Sequence, residues 1–229
     1  MFRTNAERGT IAVKKEVYGV SESGTPLYYF PSAKKCSHLI IAGIHGEEPE
    51  TTFLLSRTLR FFYDSLDHVA FILCANPDGM ALGTRGNQRG VDLNRNFPTS
   101  NWNKEDVYSR LTLESPRETL LSPGNEPLSE KETIALVSII KELQPSSILS
   151  MHSPMACIDT PFRTKDVVSL EKIFQIPWVS SIGYETPGSL GTWCIENNME
   201  CITLELPRIA LEAMETNYAV SFAHWISSR

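Results

Sequence analysis

Three observations predict that the 229-residue chain folds as one α/β domain. Short apolar runs recur along the sequence, helical patterns lie between these runs, and no shift in composition marks a second domain. The chain contains 41% hydrophobic and 21% charged residues, which is ordinary for a globular protein with a well-buried core. We therefore expect a single domain that extends over residues 1–229.

The predicted strands are short runs rich in β-branched or aromatic side chains, at residues 27–30, 39–44, 69–75, 147–151 and 201–206. Between them, helical periodicity predicts helices at residues 51–63 and 211–226. A third helix is predicted to open with a capping box, Ser129-Glu130-Lys131-Glu132, and to run to about residue 143. Residues 99–127 are polar and contain Pro116, Pro123, Gly124 and Pro127, so we expect a long surface excursion that shapes a site.

Charge and cysteine content limit the classes of partner and compartment. A net charge of -6 and a pI near 5.4 argue against a broad surface for nucleic acid or for an anionic membrane. The N-terminal residues lack the apolar core of a signal peptide, and no apolar stretch has the length of a membrane span, so we expect a cytoplasmic protein. The five cysteines are scattered without a C-x-x-C pair and are interpreted as reduced core thiols.

Two histidines and a glutamate suggest a metal site. His45 and Glu48 follow the apolar run 39–44, and His152 follows the run that begins at Ser147. Imidazole and carboxylate suit zinc, and three protein ligands leave a fourth position open, as in catalytic zinc sites. Each residue also has a simpler explanation, because acidic residues favour a helix N-terminus and a histidine at a strand end is commonly structural.

Glu205 is the candidate for a catalytic base. It stands in the otherwise apolar segment 201–206, where a carboxylate is costly unless it is paired or functional. Next to a zinc site it would accept a proton from the attacking water and pass it to the leaving amine. The alternative is a glutamate that faces solvent at the edge of a sheet.

The most specific pattern lies between residues 76 and 98. It comprises Asn76-Pro77-Asp78-Gly79, then Thr84-Arg85-Gly86-Asn87, then Gly90-Val91-Asp92-Leu93-Asn94-Arg95-Asn96-Phe97-Pro98. The first tetrapeptide alone would indicate only a turn. Together with His45, Glu48, His152 and Glu205, in this order, the pattern resembles the zinc metallocarboxypeptidase family.

The resemblance implies a mixed, twisted, eight-stranded sheet flanked by helices, with one zinc ion per chain. It assigns the zinc ligands to His45, Glu48 and His152 and the general base to Glu205. Asp92 would accept the remaining N–H of His45 and orient its ring.

The resemblance also assigns residues to substrate binding and to stabilisation of the transition state. Asn94 and Arg95 would grip the terminal carboxylate, a task that suits a planar guanidinium. Arg85 would stabilise the oxyanion, although Arg89 lies close enough in sequence to compete for this role. Tyr184 stands where some relatives place a mobile tyrosine, and an ordinary loop tyrosine explains it equally well.

Within the family, three segments resemble a cytoplasmic branch that recycles cell-wall peptides: residues 76–98, Ala156-Cys157-Ile158, and residues 183–194. This likeness implies a small peptide substrate, the murein tripeptide L-Ala-γ-D-Glu-meso-diaminopimelate, cleaved at the γ-D-glutamyl amide. Residues 99–127 and 153–162, both expected to be loops, are candidate walls of the pocket. Two alternatives stay open, namely a zinc acyl-amino-acid hydrolase of the succinylglutamate desuccinylase or aspartoacylase type, and a non-catalytic zinc- or peptide-binding module. The sequence assigns no oligomeric state.

Overall fold

A six-stranded mixed sheet forms the centre of the fold in the computed structural model, which describes residues 2–109 and 119–229. The strands in these residues are β1 (Glu16–Val20), β2 (Pro26–Tyr29), β3 (His38–Ile41), β4 (Val69–Ile72), β5 (Val107–Ser109), β6 (Thr119–Leu121), β7 (Ser147–His152), β8 (Met155–Asp159), β9 (Trp178–Val179) and β10 (Glu200–Pro207).

Helices connect the strands in the alternating order that the sequence predicts. They are α1 (Pro49–Leu59), α2 (Pro77–Leu82), α3 (Lys131–Leu143), α4 (Lys165–Phe174), α5 (Leu190–Glu196), α6 (Leu211–Met214) and α7 (Val220–Ser227). Short 3-10 turns occur at Asn5–Gly9 and Leu93–Arg95. A π-helical turn, Glu215–Ala219, joins α6 to α7, so the helix predicted at 211–226 is continuous but not uniform.

The central sheet has the order β4-β3-β7-β10-β8-β9. Strands β4, β3, β7 and β10 are parallel neighbours, so their carboxyl ends lie at one edge of the sheet. Strand β8 runs antiparallel to β10, because the chain reverses direction within two residues of the end of β7. Ligand crevices of open α/β sheets lie at this carboxyl edge.

The expected α/β fold is confirmed, with six rather than eight strands in the continuous ladder. The hairpin of β1 and β2 lies beside β4 and is joined to it by one antiparallel bridge, between Phe30 and Phe71. The two residues exchange backbone hydrogen bonds of 2.8 and 3.0 Å. The pairing stops after this single bridge, so the hairpin stays outside the continuous ladder.

Helices cover both faces of the sheet, so its strands are apolar on both sides. Ile40, Leu149 and Leu204 belong to the core cluster that also contains residues of α1, α4 and α7. Leu39 and Ile41 face the opposite cluster, which contains residues of α3 and α5. This alternation follows from the two-residue period of a strand and divides the interior into two layers.

Two local predictions were wrong. Residues 153–162 were expected to be a loop, but they contain β8, whose register with β10 is a long-range pairing. The capping box at Ser129 does not form, because α3 begins one residue later, after Glu130. The carboxylate of Glu132 instead accepts hydrogen bonds from the backbone N–H of Glu22 and from Asn87 Nδ2.

The predicted excursion at residues 99–127 contains an antiparallel pair, β5 with β6. Residues 110–118, including Pro116, lie outside the described part of the chain. All five cysteines are free, as expected, and four of them are buried. None of the helices in residues 2–109 and 119–229 combines the length and apolarity that crossing a bilayer requires.

Gly46 allows the loop after β3 to pack directly on the backbone of α2. A Cβ atom at this position would overlap Gly79 and the backbone nitrogen of Met80. Relief of that overlap requires movement of the backbone rather than of a flexible side chain. The close approach therefore fixes the loop that carries His45 and Glu48.

We predict that Gly46→Ala lowers the free energy of unfolding by about 2–4 kcal/mol, the range of severe packing defects. Urea unfolding of the purified variant measures this loss. Gly9→Ala is the matched control, since a Cβ there would meet nothing within 4 Å, and its effect should stay within about 0.5 kcal/mol. Equal stability of the two variants would contradict the proposed constraint.

Candidate zinc site and substrate cavity

The loop between β3 and α1 carries the first two predicted ligands. Gly43 has a φ of +66°, a left-handed conformation that turns the chain away from the strand. His45 follows, and Glu48 stands immediately before α1, whose first residue is Pro49. His45 is 2% exposed and Glu48 4%, so both polar side chains are held in the interior.

The third predicted ligand, His152, is the last residue of β7 and is 3% exposed. Ligand atoms of His45, Glu48 and His152 all lie within 4.8 Å of one another. The two Nδ1 atoms are 3.1 Å apart, and the Glu48 carboxylate lies 2.7 Å from His45 Nδ1 and 3.1 Å from His152 Nδ1. The structure thus brings together the three residues that the sequence singled out.

This donor set fits zinc. Ligands about 2.0–2.1 Å from a tetrahedral zinc ion lie roughly 3.3 Å apart, close to the separations found here. The opposite ring nitrogens are already engaged: His45 Nε2 lies 3.1 Å from Asp92 Oδ1, and His152 Nε2 lies 3.0 Å from Ser150 Oγ. An Nε2–H donated to Asp92 leaves Nδ1 of His45 with its lone pair directed at the shared point.

Asp92 connects the metal site to a buried arginine. Its Oδ2 atom accepts a 2.9 Å hydrogen bond from Arg85 Nε, while Oδ1 faces His45 and also accepts from the backbone N–H of Asn94. Burial acts to raise the pKa of Asp92, but Arg85 and His45 hold it well below its ordinary value. Asp92 is therefore an anion that orients His45 and Arg85 together.

The position of Arg85 differs from that of Arg89. Arg85 lines the cavity, and its Nη1 atom lies 3.4 Å from both Glu48 and Glu47. Arg89 is half exposed and lies beside Glu22 and Glu130. It is not among the residues that line the cavity. Of the two arginines, only Arg85 reaches the metal ligands.

Asn94 and Arg95 also line this cavity. Asn94 Oδ1 accepts a 2.9 Å hydrogen bond from the backbone N–H of Leu190, the first residue of α5. Arg95 is 8% exposed and donates from Nη1 to the backbone carbonyl of Asn94, at 2.7 Å. Burial lowers the pKa of Arg95, because its guanidinium has little contact with solvent. An anion that enters the cavity would replace the missing solvent as its partner.

Glu205 lies beside His152, because the two residues are partners in the parallel register of β10 and β7. Its Oε2 accepts a 3.4 Å hydrogen bond from the backbone N–H of Met155. Burial raises the pKa of Glu205, with a further contribution from Glu48, while His152 opposes the shift. A carboxyl group whose pKa is closer to neutral accepts and returns a proton more readily.

The cavity that contains these residues has a volume of about 900 Å3. Both predicted wall segments contribute to it, through Asn101 and Tyr108 on one side and Asp159 and Thr160 on the other. Tyr184 lies at the mouth, 41% exposed, with its hydroxyl 4.0 Å from Met155 Sδ. The volume is that of a site for a small peptide rather than for an extended protein chain.

Three residues of the site were missed by sequence reasoning. Ser150 forms a hydrogen bond with His152 and lies two residues before it in β7. Residues two apart in a strand face the same side, so this spacing could have predicted the contact. Asp159 and Thr203 line the cavity, but they are adjacent only through the register of β8 with β10. No local pattern in the sequence marks that pairing.

The fold, the three-ligand cluster and the neighbouring carboxylate define a zinc-dependent hydrolase of amide bonds. The sequence profile of the zinc carboxypeptidase family matches residues 12–194. The chain therefore belongs to the zinc carboxypeptidase family. Membership makes the chain a zinc enzyme that acts on peptide or amide bonds.

Particular relatives in this family are similar over almost the whole chain. Murein peptide amidase A of Escherichia coli K12 is 43% identical over 225 residues, 97% of this chain and 93% of the relative. Its counterpart from Vibrio campbellii is 40% identical over 210 residues, 90% of this chain and 84% of the relative. The crystal structure of murein-tripeptide amidase from Escherichia coli O157 matches with a TM-score of 0.94 and 41% identity, covering 99% and 97% of the two chains.

A more distant match shows the fold alone. Thrombin-activatable fibrinolysis inhibitor is 19% identical, with a TM-score of 0.72, and the match covers 95% of this chain but 68% of the other. The two chains thus share the sheet and its flanking helices despite low identity.

Protonation of His45 should compete with zinc. Burial and Arg85 act to lower the pKa of His45, but Glu48 and Asp92 outweigh them and raise it to about 9. Below that pH a proton must leave before Nδ1 can bind a metal ion. Zinc binding is therefore expected to strengthen as the pH rises towards 9 and to weaken below it.

We predict that zinc affinity falls by about tenfold for each unit that the pH is lowered from 9 to 6, as displacement of one proton requires. Competition with a fluorescent chelator, corrected for the chelator's own protonation, measures this slope. His68→Gln is the control, because His68 contacts the Lys35 carbonyl on the surface and its loss should leave the slope unchanged. A constant affinity across this range would contradict the coupling.

Proposed function

We propose that the enzyme hydrolyses the amide bond between γ-D-glutamate and meso-diaminopimelate in the murein tripeptide L-Ala-γ-D-Glu-meso-diaminopimelate. The products are L-Ala-D-Glu and free diaminopimelate. The observation that carries this proposal is near-full-length similarity to enzymes named murein peptide amidase A, at 40–43% identity. The crystallised relative from Escherichia coli O157 is likewise a murein-tripeptide amidase, so its substrate is of the class proposed here.

In this proposal His45, Glu48 and His152 hold the zinc ion. When bound, zinc supplies a Lewis acid that polarises the scissile carbonyl and acidifies water. The remaining catalytic work falls to side chains around the cluster.

Glu205 is proposed as the general base and then the general acid. Its place beside His152 and its raised pKa support this role. It removes a proton from the attacking water and later delivers that proton to the leaving nitrogen of diaminopimelate. One carboxylate thus serves both halves of the reaction.

Arg85 is proposed to stabilise the negative charge that develops on the carbonyl oxygen. Asp92 holds its guanidinium by the Nε atom, which leaves the Nη atoms directed toward the cavity side of Glu48. A donor held in place before the reaction needs no reorganisation when charge develops. Asn94 and Arg95 are proposed to bind the α-carboxylate of the leaving amino acid.

We further propose that residues 1–229 form one catalytic domain and that the enzyme acts in the cytoplasm. Five free cysteines, four of them buried, support a reducing compartment. A substrate that is a small peptide fits the cavity volume.

The direct test is to incubate the zinc-loaded enzyme with the tripeptide and to measure diaminopimelate release by chromatography. Acetylated and succinylated amino acids serve as comparison substrates. Rapid release from the tripeptide, with little deacylation, is the expected result. Deacylation without tripeptide cleavage would overturn the proposed substrate.

We predict that Glu205→Gln lowers kcat by about two to four orders of magnitude, the range for loss of general acid–base catalysis. Zinc content, measured by mass spectrometry, should stay at the wild-type level because Glu205 is not a proposed ligand. Glu200→Gln is a matched control at the other, exposed end of β10 and should retain activity. Wild-type turnover by Glu205→Gln would remove this residue from the mechanism.

We predict different outcomes for the two arginines of the 85–89 segment. Arg85→Met should reduce kcat by about two to three orders of magnitude, as expected for loss of an oxyanion donor. Arg89→Met should change it less than about threefold, because Arg89 does not line the cavity. Steady-state kinetics at matched zinc content provide the comparison, and similar losses for both variants would reject the assignment of Arg85.

A further inference from the structure

The carboxylate of Asp159 lines the cavity. Asp159 is the last residue of β8, and its side chain is partly buried. Among the described residues, no hydrogen-bond donor or ion-pair partner lies within bonding distance of its carboxylate. The two arginines that line the cavity are engaged elsewhere, Arg85 with Asp92 and Arg95 with the carbonyl of Asn94.

The strand register sets the direction in which Asp159 points. Asp159 is the antiparallel partner of Thr203, and Cys157 is the partner of Glu205. Directly opposed residues of an antiparallel pair project to the same face of the sheet. Asp159, Thr203 and Glu205 therefore share the face that lines the cavity, and all three contribute to its wall.

The register also gives the distance of Asp159 from the reaction centre. Asp159 lies one strand across and two residues along from Glu205. A strand spacing of about 4.8 Å and a rise of about 3.4 Å per residue place the two Cα atoms about 8 Å apart. The carboxylate therefore lies away from the scissile bond, at a distance that the side chain of a leaving amino acid can span.

The leaving amino acid in the proposed reaction carries a cation at that depth. Diaminopimelate has a second ammonium group on its ε-carbon, four carbon–carbon bonds or about 5 Å from its α-carbon. Lysine carries its ammonium on the same carbon but lacks the distal carboxylate. α-Aminopimelate keeps the distal carboxylate and lacks the ammonium.

We propose that Asp159 is a specificity-determining residue that binds the side-chain ammonium of the leaving diaminopimelate. The assignment rests on the proposed function and identifies the residue that recognises the side chain of the leaving diaminopimelate. Burial raises the pKa of Asp159, which shows that its charge lacks compensation in the free cavity. An ammonium group supplies that compensation, whereas an apolar side chain would desolvate the carboxylate without replacing its lost contacts.

The test uses three tripeptides of the form L-Ala-γ-D-Glu-X, with diaminopimelate, lysine or α-aminopimelate as X. We expect wild-type enzyme to prefer diaminopimelate to α-aminopimelate by about ten- to a hundredfold in kcat/KM, the value of a charged hydrogen bond. Asp159→Asn should lose that preference. It should lower kcat/KM for the diaminopimelate and lysine peptides and spare the α-aminopimelate peptide.

The α-aminopimelate peptide is the internal control for folding and catalysis, since it needs neither the ammonium nor its partner. Glu185→Gln is the matched control variant, because Glu185 lines the same cavity but is exposed. It should keep the wild-type preference. Where Asp159→Asn fails to fold, Asp159→Ser, which also removes the carboxylate, is measured on the same three peptides and should lose the preference.

Two outcomes separate this inference from the proposed function. Cleavage of the diaminopimelate peptide with no wild-type preference over α-aminopimelate, or with a preference that Asp159→Asn retains, would overturn the role of Asp159 alone. Failure of wild-type enzyme to cleave any of the three peptides would overturn the proposed function and, with it, this assignment.

Discussion

The site depends on the parallel register of β7 with β10, which sets His152 beside Glu205. Met151 and Leu204 are fully buried in one core layer, so the residues that follow them must face the opposite layer. A slip of one residue in either strand would exchange the two faces and bury His152 or Glu205 among aliphatic side chains. The apolar pattern that stabilises the sheet therefore also fixes the geometry of the polar site.

Charge then determines how the site is held together. Glu48 and Asp92 are almost fully buried, and burial without partners would force protons onto both carboxylates. Arg85 contacts both of them, and the imidazoles of His45 and His152 face Glu48. A zinc ion held by the two imidazoles and the Glu48 carboxylate would supply positive charge where the protein has concentrated negative charge. The same balance keeps Arg85 fixed in one orientation, which is the condition for stabilising charge during a reaction.

Sequence reasoning marked His45, Glu48 and His152 as candidate ligands, and the resemblance to the zinc metallocarboxypeptidase family decided between that interpretation and a structural role for each residue. His45 and Glu48 are three residues apart, and His152 ends an apolar run, so each is a polar residue where packing alone predicts none. The same reasoning missed β8, because Pro154 precedes it and Asp159 ends it, as in a loop. Its assignment as a strand comes from pairing with β10, nearly fifty residues away. Likewise, Glu132 reads as a capping residue, but contacts with Glu22 and Asn87 outcompete the local hydrogen bond.

The cavity carries charges of opposite sign that suit the two ends of one molecule. Arg95 presents a buried cation at the end of the 3-10 turn Leu93–Arg95. Asp159 presents an anion on β8, on the far side of β10 from His152. An amino acid with a free α-carboxylate and a side-chain ammonium satisfies both, whereas an ordinary apolar residue leaves Asp159 buried and uncompensated. Discrimination of this kind arises from the penalty imposed on the wrong ligand as much as from attraction to the right one. A zinc peptidase site that is chemically general can in this way be restricted to one unusual amide bond by a single carboxylate away from the metal.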